Sequence, residues 1–366
     1  MHTKKIIILH DYFLYKGGGE RLVITMAKRL GADIATAFIS NEAFNPKDYG
    51  IKTIELYKES RWSKIPGFRY TQVHLSFLFK TKFIQNYDII IYSGDCLNAL
   101  LNAKGKVNIA YMHTPPRHLY DSYQDRLRSY GFFKKLIFIP YAFFNRWRFK
   151  KLSQKLDLII TNSQTVQERI KKYLGLDSVI AYPPCNTEKF RFIEQGDYFF
   201  SWARLYPAKR VDMIVEAFTK MPDKRLIVAS GGPELDKLKK MAQGHKNIEI
   251  KGWISDEELF EILGRCLATI YIPIREDFGM SPVESMSAGK PVIGVNEGGL
   301  RETIIHDKTG ILLDPKFNVN DIINAVHEMT PQKALSMKKY CEERAKDFTE
   351  DKFIDKIREY LSLFDY

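Results

Sequence analysis

Residues 270–303 read IYIPIREDFGMSPVESMSAGKPVIGVNEGGLRET, and the fold turns on how they are parsed. With the two residues before it, the opening "ATIYIPI" is a β-branched and aromatic run of the kind that forms a buried parallel strand. A polar turn follows, Arg275-Glu276-Asp277-Phe278-Gly279. Ser281 and Pro282 then read as N-cap and first position of a helix. Glu284 is expected in its first turn, where a carboxylate suits the helix dipole. Gly289 ends the helix, and "PVIGV" is the next strand. A turn placed this way delivers Glu276 and backbone N–H groups to the carboxyl end of a parallel strand, where open α/β sheets bind ligands.

Working outward, 366 residues suffice for two domains with separate cores. Hydrophobic content of 45% and charged content of 27% are those of a globular protein. The four cysteines, Cys96, Cys185, Cys266 and Cys341, are scattered without metal-ligand spacing and read as buried thiols of a reducing compartment. The apolar run after the basic N-terminus is too short for a signal peptide or a membrane span. The expected location is therefore the cytoplasm, including the inner face of the cell membrane as a peripheral protein.

The net charge of +12 is unevenly spread. Residues 1–183 hold 29 Lys+Arg against 14 Asp+Glu, a balance of +15, while residues 184–366 hold 27 against 30, a balance of −3. One half is thus suited to an anionic partner. No helix-turn-helix, zinc-finger or RNP pattern supports nucleic acid, and an anionic membrane or lipid-pyrophosphate fits better with the aromatic content. Residues 126–151, RLRSYGFFKKLIFIPYAFFNRWRFKK, carry eight Lys/Arg and no acid among Phe and Trp side chains. Such a segment suits a bilayer interface, with Lys134, Lys135, Arg146 and Arg148 on anionic lipid. An ordinary domain helix with a Phe-lined core face reads equally well. Pro140 is expected to break it.

In chain order, "KKIIILH" is a strand. Gly17, Gly18 and Gly19 fill the strand-to-helix turn after it, where glycine lets the backbone approach a phosphate or a sugar. The turn matches neither G-x-G-x-x-G nor Walker A, and a plain flexible turn is the alternative. "KVNIAYMHTPPRHLYD" is a later strand, with His113 locked after it by two prolines. Taken alone, such a histidine is more often a structural hydrogen-bonder. "SVIAYPPCNTEKFRF" reads as the hinge between lobes. In the second half Arg204 and Lys209 lie between a strand end and a helix start, a two-cation clamp suited to a diphosphate, with Arg210 a further cation in reach. Gly231 and Gly232 sit in another strand-to-helix turn. Ser255 and Glu258 form a capping-box pattern after Trp253 and Ile254.

Glu276 and Glu284 with Phe278-Gly279 between them resemble the E-x7-E signature of retaining GT-B glycosyltransferases of family 4 (group 1), and "AGKPVIGVNEGGLRETI" is similar to the same family. "YMHTPPRHLYD" resembles its O-antigen mannosyltransferase-like branch. The resemblance covers nearly the whole chain and implies an α/β fold, GT-B, of two Rossmann-like domains facing a central cleft. Their expected bounds are 1–183, with a C-terminal helix of about 350–366 crossing back, and 184–349. It implies a hexosyltransferase moving mannose, or another hexose, from a nucleotide-sugar to a lipid-linked or polysaccharide acceptor in cell-surface glycan synthesis. GDP-mannose is favoured, with UDP- or dTDP-sugars as alternatives, and neither cofactor nor metal is expected.

The roles implied by the resemblance are specific. His113 lies beside the transferred sugar, Arg204 and Lys209 hold the donor diphosphate, and Glu276 holds sugar hydroxyls. Glu284 binds the ribose, the backbone at Trp253 and Ile254 meets the base, and the N–H groups of Phe278, Gly279 and Met280, with Ser281 beside them, face the diphosphate. Gly17–Gly19 and the Gly231-Gly232 turn complete the donor-binding set. Three other readings keep the scaffold: a nucleotide-sugar 2-epimerase, a phosphorylase, and a non-catalytic membrane-associated assembly subunit. Neither enzyme alternative needs a basic aromatic first half, and the subunit needs none of Arg204, Lys209, Glu276 and Glu284. The family more often has Val and Asp where Cys185 and Asn186 stand.

Overall fold

The computed structural model describes residues 4–60, 65–185 and 187–364, so Asn186 lies outside the described residues. The chain divides into two compact units, residues 1–182 with 354–366, and residues 183–353.

The first unit is built on a seven-stranded sheet. Its strands are β1 (Ile6–His10), β2 (Asp33–Thr36), β3 (Thr53–Glu55), β4 (Ile89–Ser93), β5 (Val107–Met112), β6 (Leu158–Thr161) and β7 (Val179–Ile180). They lie in the order β3-β2-β1-β4-β5-β6-β7, and every pairing is parallel. Runs such as Ile6–Leu9 and Ile89–Ile91 are nearly unbroken isoleucine because helices cover both faces of such a sheet. The order reverses between β1 and β4, with His10 registered against Ser93.

The second unit repeats the plan. Its strands are β8 (Tyr198–Ser201), β9 (Arg225–Ala229), β10 (Ile248–Gly252), β11 (Ala268–Tyr271), β12 (Val292–Val295) and β13 (Gly310–Leu313). They form a parallel sheet in the order β10-β9-β8-β11-β12-β13, reversing between β8 and β11. Both sheets are thus doubly wound and Rossmann-like, and each has a switch point where ligands bind at strand carboxyl ends. The C-terminal helix Glu350–Ser362 serves the first unit: Tyr360 Oη donates to the Ile180 carbonyl at 2.9 Å. All four cysteines are buried free thiols.

Three local expectations need correcting. The helix after β11 is Met280–Ser287, capped by Gly279 in the left-handed region at φ 91°. Pro282 is therefore its third residue and Glu284 its fifth, in the second turn. Gly18–Leu30 is one helix with Gly17 as N-cap, so two of the three glycines form the first helical turn rather than a loop. Pro140 does not break its helix, which runs unbroken over Phe132–Ser153. An interior proline costs about 3 kcal/mol. The buried stripe Phe138, Ala142, Asn145, Phe149, Leu152 offsets it, since each large apolar side chain buried gains about 1.5–3 kcal/mol. A smaller difference concerns Ser255, which accepts the Glu258 N–H at 3.1 Å as expected. The Glu258 carboxylate itself pairs with Lys251 at 3.0 Å.

Candidate functional site

The candidate residues gather in two clusters, one at the switch point of each sheet.

In the second unit, Lys209 ends a short 3-10 turn after β8, and Tyr271 and Glu276 follow on β11 and the loop beyond it. Lys209 Nζ lies 2.6 Å from Glu276 Oε2 and donates to Tyr271 Oη at 2.7 Å, while Tyr271 Oη donates to Glu276 Oε2 at 2.9 Å. Burial pushes the Tyr271 phenol well above its ordinary value, and the charge and hydrogen bond of Glu276 add to this, with Glu284 and Asp277 contributing. The phenol therefore stays a donor, and the ion pair is held in one geometry by a neutral third member. Arg204 is exposed on the loop between β8 and Lys209. Arg210 is turned away: its guanidinium donates to the Ile272 and Pro273 carbonyls at 2.6 and 2.9 Å and stacks on Phe317 at 4.5 Å. It braces the loop from behind rather than adding a second clamp cation.

The Glu276 loop is shaped from below by Glu297-Gly298-Gly299. Glu297 Oε1 accepts the Arg275 N–H at 3.0 Å, and the Gly299 N–H donates to the Glu276 carbonyl at 3.0 Å. Gly298 has φ 63°, and a Cβ there would fall 2.3 Å from the Glu276 carbonyl oxygen. A glycine there lets the backbone pass this close to the Glu276 carbonyl. Helix Met280–Ser287 begins without a side-chain cap, so its first-turn N–H groups, from Met280 and Ser281 on, are served by no capping side chain. Glu284 is half-buried on that helix.

The β9 turn packs against the β8 loop. Leu205 N–H donates to the Gly231 carbonyl at 3.0 Å, and a Cβ on Gly232 would fall 2.4 Å from the Leu205 carbonyl oxygen. Trp253, 71% exposed, lays its indole across Gly231, where a Cβ would come 2.1 Å from Nε1. Ile254 packs into the apolar cluster around Phe200 and Leu263.

In the first unit, Gly19 and His113 are neighbours: a Cβ on Gly19 would sit 3.8 Å from His113 Cε1. His113 Nε2 lies 3.1 Å from Ser93 Oγ, which in turn lies 3.3 Å from His10 Nδ1. Burial, and then the nearby His10, push the His113 imidazole down to about 4, so it is neutral near pH 7. Gly19, His113 and His10 border a cavity of about 760 Å³ that also reaches Asp11, Asp95, His118 and Arg126. Sequence reading missed Asp11, Asp95 and Tyr271. The "SGD" turn after β4 was the available signal for Asp95, and the aromatic end of β11 for Tyr271.

The basic helix Phe132–Ser153 divides its residues by face. Phe132, Phe133, Ile137 and Phe143 are each more than 70% exposed, and Lys134 is exposed with them. Lys135 is half-buried. Arg146 and Arg148, expected on lipid, point inward. Arg146 donates through Nε to the Leu119 carbonyl and stacks on Tyr123 at 4.1 Å, while Arg148 reaches Asn98, Tyr70 and His74. Among the described residues no helix is long and apolar enough to cross a membrane.

Comparison with known proteins agrees with this architecture. Residues 16–189 match the family model described as Glycosyltransferase Family 4, and residues 185–348 match Glycosyl transferases group 1. The alpha-1,3/1,6-mannosyltransferase of Dictyostelium discoideum is 25% identical over 88% of this chain and 89% of its own. The GDP-mannose-dependent alpha-(1-6)-phosphatidylinositol monomannoside mannosyltransferase of Mycobacterium tuberculosis is 31% identical over 35% of this chain and 36% of its own. The Anabaena protein HepE, solved with UDP and glucose, superposes with a TM-score of 0.75 at 19% identity, covering 98% of this chain and 99% of its own. With two doubly wound units, a basic and acidic pair at the switch point of the second, and two family models that together run from residue 16 to residue 348, the chain belongs to the group 1 glycosyltransferases of the GT-B fold.

Proposed function

We propose that the protein is a retaining, metal-independent hexosyltransferase that moves mannose from GDP-mannose to a lipid-linked glycan at a membrane surface. The observation that carries the donor half is the Lys209–Tyr271–Glu276 triangle at the switch point of the second unit. Lys209 and Arg204 hold the diphosphate, joined by the uncapped start of helix Met280–Ser287, where an anion meets both N–H groups and the helix dipole. Glu276 takes sugar hydroxyls, Glu284 the ribose, and the stretch at Trp253 and Ile254 the base. His113, neutral and accessible from the first unit's cavity, keeps the role of contact with the transferred sugar.

The chemistry follows from those roles. The bond from the sugar's anomeric carbon to the phosphate oxygen breaks as the acceptor oxygen bonds to the same face. The acceptor's proton passes to the departing phosphate oxygen. Charge grows on the diphosphate, and preorganised cations and N–H groups stabilise it most where water is excluded. A two-carboxylate covalent route requires both acids beside one bond; with Glu284 on the ribose that route is closed.

Mannose is supported by both the Dictyostelium and the Mycobacterium mannosyltransferases, and a lipid acceptor by the phosphatidylinositol monomannoside of the latter. The exposed apolar and basic face of helix Phe132–Ser153 supports peripheral attachment to anionic lipid. Thermal shift of the purified protein with GDP-mannose, UDP-glucose and dTDP-glucose tests the donor, since a ligand of the native state raises stability. The largest shift is expected with GDP-mannose; a larger shift with either other sugar overturns the assignment of base or sugar.

A further inference from the structure

Three neighbouring strand ends place His113 at the end of a row of polar side chains. His10 closes β1 and is registered against Ser93, which closes β4, and Ser93 is registered in turn against Tyr111 on β5. His113 follows Tyr111 by two residues, the spacing that returns a side chain to the same face of a strand. Ser93 Oγ therefore lies between two imidazoles, 3.3 Å from His10 Nδ1 and 3.1 Å from His113 Nε2. Ser93 and His10 are both buried. Asp11 stands at the far end of the row, with Oδ1 3.6 Å from His10 Nε2.

A serine hydroxyl has one proton, so between two ring nitrogens it donates to one and accepts from the other. The direction is decided at the Asp11 end. At 3.6 Å the carboxylate is too far for a hydrogen bond to His10, but a charge at that distance acts strongly in a buried place. Asp11 is held there by the N–H groups of Tyr12 and Asp95, which its two oxygens accept at 2.9 and 3.2 Å. Burial raises the Asp11 carboxyl above its ordinary value, against the opposing pull of His10 and of those two N–H groups. With one ring proton on His10, the negative charge draws that proton to Nε2. His10 Nδ1 is then an acceptor, Ser93 donates to it, and Ser93 Oγ accepts from His113 Nε2–H. A proton on His10 Nδ1 would reverse both bonds and put the His113 proton on Nδ1.

We propose that Asp11, His10 and Ser93 are positioning residues that fix His113 as the Nε2–H tautomer, so that bare Nδ1 accepts a hydroxyl proton of the transferred sugar. The sugar contact rests on the transferase reading above; the tautomer does not. The direction matters because breaking the anomeric bond leaves positive charge on the sugar ring. A hydroxyl that donates its proton carries more negative charge on its oxygen, and that offsets the growing charge. A hydroxyl that accepts from N–H does the reverse.

The test is long-range proton–nitrogen NMR of the imidazole rings in the intact protein at pH 8, with signals assigned by their absence in His10→Gln and His113→Gln. In the wild type both rings should show Nε2 protonated and Nδ1 bare. A protonated Nδ1 on His113, or a mixture of tautomers, overturns the proposal. Ser93→Ala should leave His113 with mixed tautomers and lower kcat about tenfold or more, while GDP affinity is unchanged; Ser93→Thr keeps the hydroxyl and should restore both tautomer and rate. Full kcat in Ser93→Ala, or a lowered kcat with the tautomer unchanged, overturns the positioning role. Should the Ser93 variants fail to fold, Asp11→Asn carries the test: it should move the His113 proton toward Nδ1, and an unchanged tautomer overturns the chain. A wild type with the expected tautomer but no sugar transfer counts against the transferase reading and not against the row.

Discussion

Lys209 has three N–H donors, and Glu276 and Tyr271 take two of them. The third is available to a phosphate oxygen without breaking the ion pair, so the same cation can orient Glu276 and meet the donor. Removing either partner takes from a half-buried charge the opposite charge that lies 2.6 Å away. Lys209→Ala and Glu276→Ala are each expected to lower transfer by about 10²-fold or more, while the folded circular-dichroism spectrum is retained. Full activity in either purified variant contradicts the cluster's role. His113 gives a second residue-scale prediction, in pH. Unfolded, its imidazole gains a proton near pH 6.5; folded, only near pH 4. Its contribution to stability is therefore complete above about pH 6.5 and is lost as pH falls toward 4. The melting temperature of His113→Gln should fall less steeply than that of the wild type across this window, and equal slopes contradict the buried neutral imidazole.

Among the elements, the helix Phe132–Ser153 best separates what the sequence reveals from what it hides. Its composition announces a basic aromatic surface, but only the fold shows which side chains face which way. The stripe from Phe138 to Leu152 faces inward at alternating steps of three and four residues, and Arg146 and Arg148 follow it. The membrane test must therefore use cations that remain exposed or half-exposed: Lys134, Lys135, Lys150 and Lys151. Each is worth about 1 kcal/mol near an anionic surface, so changing all four to Glu should abolish co-sedimentation with anionic liposomes. Added salt should weaken wild-type binding. Equal binding to neutral vesicles, or unchanged binding by the variant, contradicts the membrane assignment. The strand-turn-helix units were legible because hydrophobic runs and glycine stops are local signals. Tyr271 and Glu297 were not, because each matters through a partner five or more residues away that only the folded loop brings near. The helix starts at Met280 and not at Ser281-Pro282 for a related reason. Ser-Pro is a good start signal, yet Gly279 in the left-handed region, packed beside Leu300, begins the helix earlier.

For the whole molecule, the doubled parallel sheet explains why one family model covers each half. The charge is divided in the same way, with the +15 half carrying the basic helix and the cavity and the −3 half the Lys209–Glu276 cluster. That division suits a protein which meets an anionic surface through one unit and reads a soluble nucleotide with the other. Transfer with retention, through a donor held by the second unit, is the central step of the proposed reaction. Proton NMR of the product formed from α-linked GDP-mannose and a decyl phosphoryl-sugar, with EDTA present, reads it directly. An α-linked mannosyl product, formed by the wild type at an unreduced rate under chelation and lost in Glu276→Ala, is the predicted result. A β-linked product, or turnover that stops with EDTA and returns with Mn²⁺, contradicts it.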